Sequence, residues 1–215
     1  MTTQLGRPVG ASGDETRQRI ITATMRCVAE VGYSGASIRQ IARAANVTSA
    51  SLYNYFPTKS ELIKATIEAR SDYAIPRLRK AAQIDGDVVD RIESVLDESA
   101  RLIREYPDLA AFEWAIRAES AISIYPEESG RVGLQQLRDI IEGIVDDARR
   151  QGTLGDRPDA RATVEVIYAL IYGLTEVAAT ASPQTYQRTF KAAKRLLRGT
   201  LFDGGGESAG AKRRG

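Results

Sequence analysis

Histidine is absent from the 215 residues of this sequence, and cysteine occurs once, at Cys27. The first absence removes the commonest general base and the commonest zinc ligand together. The second rules out an internal disulfide framework and fits a reducing cytoplasm. Cys27 falls on the apolar side of a predicted helix and reads as core packing, with a redox sensor as the rarer alternative. No apolar leader opens the chain, because Met1–Gly13 is polar and glycine-rich. The most hydrophobic stretch, Val164–Ala181, contains Glu165 and Glu176. Its uninterrupted apolar part is shorter than the roughly 20 residues that cross a bilayer. The expectation is a soluble cytoplasmic protein with no membrane partner. Phosphate loops, GxGxxG, metal-ligand clusters and Ser-His-Asp sets are missing too, so the sequence points to no enzyme, no cofactor and no metal. Carboxylate pairs such as Asp146–Asp147 sit on polar helix faces and read as solvated charge.

What is present is ordinary in amount and uneven in placement. The 43% hydrophobic and 27% charged content is that of a globular protein, and the length suffices for one large or two small domains. Through Ala65 there are eight basic and four acidic residues, so this head carries +4 while the remainder of a chain of net charge +2 carries −2. A basic head on an acidic body suits a nucleic-acid partner at one end.

Nearly every segment repeats with helical rather than strand period, which predicts an all-α fold. The first helix runs from an N-cap at Asp14 to a C′ residue at Gly32, with Ile20, Ile21, Thr24, Cys27, Val28 and Val31 on one face. Ser37 and Gln40 have the spacing of a reciprocal capping box and open a short helix, Ile38–Ala44. After Ala45-Asn46-Val47 a third helix begins at Thr48 or Ser49 and ends at Tyr55. Thr58 to Glu61 supplies another capping box, and the long helix that follows is expected to kink or end at Ile75-Pro76. Further helices are predicted from Val88 to Tyr106, from Pro107 through Ile122, and from Glu127 to Gln151. The last two are Ala160–Ala181 and Thr185–Phe202. Residues 1–13 and 203–215 are low in apolar side chains and are expected to be a disordered arm and tail.

The informative segment is Ser37 to Lys59. Two short helices joined by a three-residue turn match a helix-turn-helix. Ile41, Ala42, Val47 and Leu52 are spaced to hold the pair together, and Ala42 is small where the helices cross. Ser37-Ile38-Arg39-Gln40-Ile41-Ala42, then Ala45-Asn46-Val47, then Leu52-Tyr53-Asn54-Tyr55-Phe56 with Lys59, Glu61 and Leu62 resembles the TetR-family DNA-binding domain over about residues 14–65. The resemblance implies an all-helical homodimer, usually of nine helices, that represses transcription until a small ligand releases it. It implies a helix-turn-helix domain at 14–65 and a ligand-binding and dimerisation body at 66–202. By position, Ser37 and Arg39 match residues that reach DNA from the first motif helix. Thr48, Ser49 and Ser51 match the start of the recognition helix, Tyr53 and Tyr55 its two aromatic contacts, and Lys59 a phosphate contact. The chemistry agrees: short hydroxyls approach base edges, while a helix N-terminus and a lysine favour phosphate. Arg39 is the candidate guanine reader, with a phosphate contact as its alternative. Asn46 stands where the family usually has glycine, and asparagine tolerates the left-handed conformation that such a turn demands.

One helix-turn-helix covers little DNA, so two copies are expected on a palindromic double-stranded operator. For the homodimer interface the candidates are Ile167, Leu170, Ile171 and Leu174 on one helix and Phe190 and Leu197 on the next; the alternative is that both stripes are internal core. For a small-molecule effector the candidate walls are Tyr106, Phe112, Trp114, Tyr125 and Tyr172, with Glu113, Arg117 or Glu176 as polar anchors. Gly173 reads as a place for close helix packing or for room beside a ligand. The sequence also admits a DNA-binding dimer without an effector.

Overall fold

The computed structural model describes residues 13–122, 128–152 and 159–202, with side chains outside 120–134. Among the described residues there are nine helices and no strand, as the periodicity predicts. They are α1 (Gly13–Gly35), α2 (Ile38–Ala44), α3 (Ser49–Tyr55), α4 (Lys59–Ala81), α5 (Val88–Glu105), α6 (Leu109–Ile122), α7 (Glu128–Arg150), α8 (Ala160–Thr180) and α9 (Pro183–Leu197).

Local chemistry sets most of the boundaries. Gly32 takes φ 75°, which breaks α1 at its predicted C′ position before the chain turns towards α2. Asp14 lies inside the first turn of α1 beside Glu15, where both carboxylates face the positive end of the helix dipole; it is not the N-cap. Ser37 and Gln40 make the predicted reciprocal box. Thr48, Thr58, Asp87, Asp159 and Ser182 cap α3, α4, α5, α8 and α9 in turn. Pro107 and Asp108 form a turn ahead of α6, in which the Leu109 amide donates to the Tyr106 carbonyl. The last helix begins two residues before its expected start, at Pro183, and stops at Leu197 rather than Phe202.

The larger correction concerns Pro76. Helix α4 does not end there but continues to Ala81. An interior proline costs about 3 kcal/mol. Burying one isoleucine or leucine returns about 1.5–3 kcal/mol, and Ala74, Ile75 and Leu78 are all buried around an exposed Pro76. The packing on one face outweighs the missing amide on the other.

Two buried clusters organise the chain. The first joins Ile20, Val28, Ile41, Leu52, Leu62 and Ile63 from α1 to α4. The second joins Leu78, Leu96, Ile141, Val145, Ile171 and Leu174 from α4, α5, α7 and α8. Helix α4 is the common member, with Leu62 to Ile67 in one cluster and Ala74 to Leu78 in the other. Helix α6 makes a second link, because its Phe112, 1% exposed, is a member of the first cluster. Salt bridges bind α9 to α5: Arg198 reaches Asp90 at 2.6 Å and Glu93 at 3.0 Å, and Lys194 reaches Asp97 at 3.0 Å.

By length and composition alone α8 is long and apolar enough to cross a membrane, a test that the core helix of a soluble protein passes as well. Its inward face, Val164, Ile167, Ile171 and Leu174, lies in the chain's own core. Outside that core face Val166 is 70% exposed, between exposed Glu165 and Ala169.

Candidate nucleic-acid interface

The turn between α2 and α3 follows from two hydrogen bonds. The Val47 amide donates to the Ala42 carbonyl at 2.9 Å and the Asn46 amide to the Arg43 carbonyl at 3.1 Å. With Asn46 at φ 56°, this is a Schellman ending in which asparagine replaces the usual glycine. Ile41 and Leu52 are fully buried and Ala42 nearly so, so the two helices share a dry seam. That seam sets the orientation of α3 and leaves its other face in solvent.

The predicted DNA-contacting residues separate into free and engaged groups. Arg39 is exposed, and Tyr53 is 48% exposed on the outer face of α3. Ser49 and Ser51 are half-buried at the start of the same helix. The Thr48 hydroxyl accepts from the Ser51 amide at 3.0 Å. Ser37 Oγ accepts from the Gln40 amide at 3.2 Å and donates to Gln40 Oε1 at 2.7 Å. The same hydroxyls that match DNA contacts therefore also hold the helix starts. Tyr55 is half-buried and packs against the first cluster.

Lys59 is the most constrained of the set. Its Nζ donates to the Tyr33 carbonyl at 2.5 Å and lies 4.5 Å from the centre of the Tyr33 ring. Burial pushes its pKa below the usual lysine value, and the charge of Glu119 works against that shift. Glu119 in turn accepts from Ser34 Oγ at 3.1 Å, so α6 reaches the same corner where α1 ends and α4 begins. Burial also pushes the Cys27 thiol up, which supports the packing role expected for it.

The candidate ligand residues are scattered by the fold. Phe112 plugs the first cluster, Glu176 is exposed, and Tyr125 lies outside the described residues. Tyr106 is 38% exposed, packs edge-on against Tyr73 at 5.1 Å and lines a cavity of about 440 Å³ beside α1 and α4. Glu113, Trp114, Arg117 and Tyr172 do come together. The Arg117 guanidinium sits 4.2 Å from the Tyr172 ring centre and 3.7 Å from Glu113, and Trp114 is 6.2 Å from Tyr172. The fold adds two residues that the sequence reading missed. Arg70 forms an ion pair with Glu113, and the Tyr168 hydroxyl accepts from Arg117 at 3.2 Å. Arg70 is a charge on the helix face that carries Ile63, Ile67 and Ala74, and that misplaced charge was the available signal.

Of the candidate dimer residues, Ile167, Ile171 and Leu174 are buried in the chain's own core. Leu170, Phe190 and Leu197 are half-buried at its edge. A side chain added at Gly173 would meet nothing within 4 Å, so within this chain the glycine does not serve close helix packing.

Comparison with known proteins agrees with this geometry. A family model described as "Bacterial regulatory proteins, tetR family" matches residues 20–66. The HTH-type transcriptional regulator SrpR of Pseudomonas putida is 39% identical over 66 residues, 31% of either chain. The chain spans about a third to a half of the length of such curated relatives. Similarity to solved structures extends over the whole fold. The regulator FadR of Bacillus subtilis, in complex with stearoyl-CoA, superposes with a TM-score of 0.74 at 18% identity, over 85% of this chain and 98% of that one. AibR, in complex with isovaleryl coenzyme A and operator DNA, superposes with a TM-score of 0.69 at 17% identity, over 85% of this chain and 98% of its own.

Proposed function

We propose, from the premise that this chain belongs to the TetR family of transcriptional regulators, that it binds a palindromic operator as a homodimer, represses transcription there, and leaves when a small molecule binds. The observation that carries this reading is α3: the Asn46 turn and the Leu52 seam hold it in place with Tyr53 exposed, near the exposed Arg39. A seven-residue helix reads only a few base pairs. Two such helices about 34–36 Å apart would enter successive major grooves.

The outward face of α8 is the natural place for the second copy. Val166, Leu170, Gly173 and Val177 lie on that side, exposed or half-buried, and Leu196 of α9 is 48% exposed. A partner's α8 and α9 would cover both in an intermolecular four-helix bundle, and Gly173 would let the backbones approach. Leu170 is common to this face and to the stripe the sequence suggested, whereas Ile167, Ile171 and Leu174 are taken up by the chain's own core.

Release requires a ligand that prefers a body conformation in which the recognition helices no longer fit the grooves. Two links can carry such a change: α4, which crosses both cores, and α6, through Phe112 and the Glu119–Ser34 contact. A cavity of about 440 Å³ between α1, α4 and the turn before α6 favours a ligand-sensing regulator over a DNA-binding dimer without an effector.

The test is DNase protection of the DNA flanking the protein's own gene, titrated with purified protein at physiological salt. A palindromic footprint saturating at nanomolar concentrations is the expected result. Diffuse, strongly salt-sensitive protection at every sequence tried would reject a sequence-specific regulator.

A further inference from the structure

The 440 Å³ cavity has an unusual inner end. Its walls are apolar where α1 supplies Ile21 and Met25, α4 supplies Ala65 and Ala69, and the start of α6 supplies Leu109. Glu68 and Asp72 are exposed at its rim. Arg70 lines it as well, with a side chain only 18% exposed. Behind Arg70 stand Glu113 and Arg117, at 14% and 15% exposure, so two guanidinium groups share one carboxylate. Nε of Arg70 and Nε of Arg117 are both buried without a hydrogen-bond acceptor among the described residues. Burial, followed by the charge of Arg117, holds the Arg70 pKa down to about 10.

A buried cation in excess of its counter-charge is costly, and an orphaned donor adds to that cost. An anion arriving in the cavity against Arg70 would offset the excess charge. We propose that this cavity is the effector site and that its ligand is an amphipathic organic anion, its carboxylate, sulfonate or phosphate on Arg70 and its apolar body against Ile21, Met25, Ala69 and Leu109. The inference rests on the regulator reading given above. The site touches α1, α4 and the body at once, so an occupant bears directly on how the DNA-binding helices are held. Charge relief gives the binding energy, and the change in α1–α4 spacing gives the difference in affinity between the two states.

The test uses the full-length protein and two fluorescent probes of the same ring system, 1-anilinonaphthalene-8-sulfonate and the uncharged N-phenyl-1-naphthylamine. Titrated without DNA, the wild type should bind the sulfonate at least about tenfold more tightly than the neutral probe, the scale of a charge-assisted hydrogen bond. Arg70→Gln should bring that ratio near one. Glu113→Gln, which frees Arg70 from its internal partner, should raise sulfonate affinity, a direction that a merely structural role would not produce. Ala69→Phe should reduce binding of both probes by filling the cavity. Equal binding of the two probes by the wild type would overturn the proposal. If Arg70→Gln does not fold, sulfonate binding unchanged in both Glu113→Gln and Ala69→Phe would overturn it equally. On an established footprint, saturating sulfonate should shift the protection midpoint at least about tenfold for the wild type and not for Ala69→Phe; an unmoved midpoint rejects the effector role. A footprint without anion preference sinks this inference alone, whereas anion preference without any footprint sinks the regulator reading and leaves the site standing.

Discussion

Asn46 and Arg39 show how differently neighbouring residues depend on context. Asn46 has φ 56°, alone among the described non-glycine residues in the left-handed region. A β-branched side chain does not sit there without strain, so Asn46→Val should lose about 1–2 kcal/mol of stability. Urea unfolding would measure it, and an unchanged midpoint would mean that the turn relaxes to another conformation. Both the turn and its tolerance for asparagine are local properties, readable from three residues. Arg39 is exposed and free to reach DNA. Arg39→Ala should cost about 1–3 kcal/mol at the operator and relax specificity at one base pair. Titration against operators substituted position by position decides the point, since a loss of equal size on every sequence would make Arg39 a phosphate contact. Lys59 was legible only in part. Its position and charge match a phosphate contact, but its bond to the Tyr33 carbonyl joins residues 26 apart in sequence, and no local pattern encodes that.

Among the elements, α4 departs most from expectation. Pro76 was expected to kink or end the helix, and the ending holds only when nothing else favours continuation. Here Ile75 and Leu78 are held in the body core, and the helix bridges the gap. Pro76→Ala should restore the missing amide and stabilise the protein by up to about 3 kcal/mol. A loss of stability on urea denaturation would show that the proline is needed to seat those side chains. The junction of α9 and α5 makes a pH prediction. Hydrogen bonding to Arg198 holds the Asp90 and Glu93 carboxyls below their ordinary 3.8 and 4.5. A carboxylate with a depressed native pKa stabilises the fold above its unfolded value, and that contribution disappears as pH falls through the native value. Arg198→Gln should therefore lower the melting temperature at neutral pH, and its gap to the wild type should close below about pH 4. A gap independent of pH would assign the effect of Arg198 to packing.

At the scale of the whole molecule, α8 shows that periodicity alone does not identify which apolar stripe faces a partner. The stripe of Ile167, Ile171 and Leu174 is strong, and the chain buries it in itself. The flanking side carries Val166, which is 70% exposed. Val166→Glu would place a charge at the centre of the proposed bundle and should weaken self-association by about a hundredfold or more. Analytical ultracentrifugation would detect the monomer, and the footprint should weaken with it. A dimer that persists unchanged would place the second copy on another surface.

By itself the sequence determined the all-α class, the Ser37–Gln40 capping box and the helix-turn-helix, because each depends on contacts between residues a few positions apart. Tertiary structure decided which side of α8 remains uncovered, how α4 survives its proline, and that Arg70 shares Glu113 with Arg117 beside a cavity. Those outcomes depend on which faces meet across tens of residues, and burial there reverses local preferences by several kcal/mol.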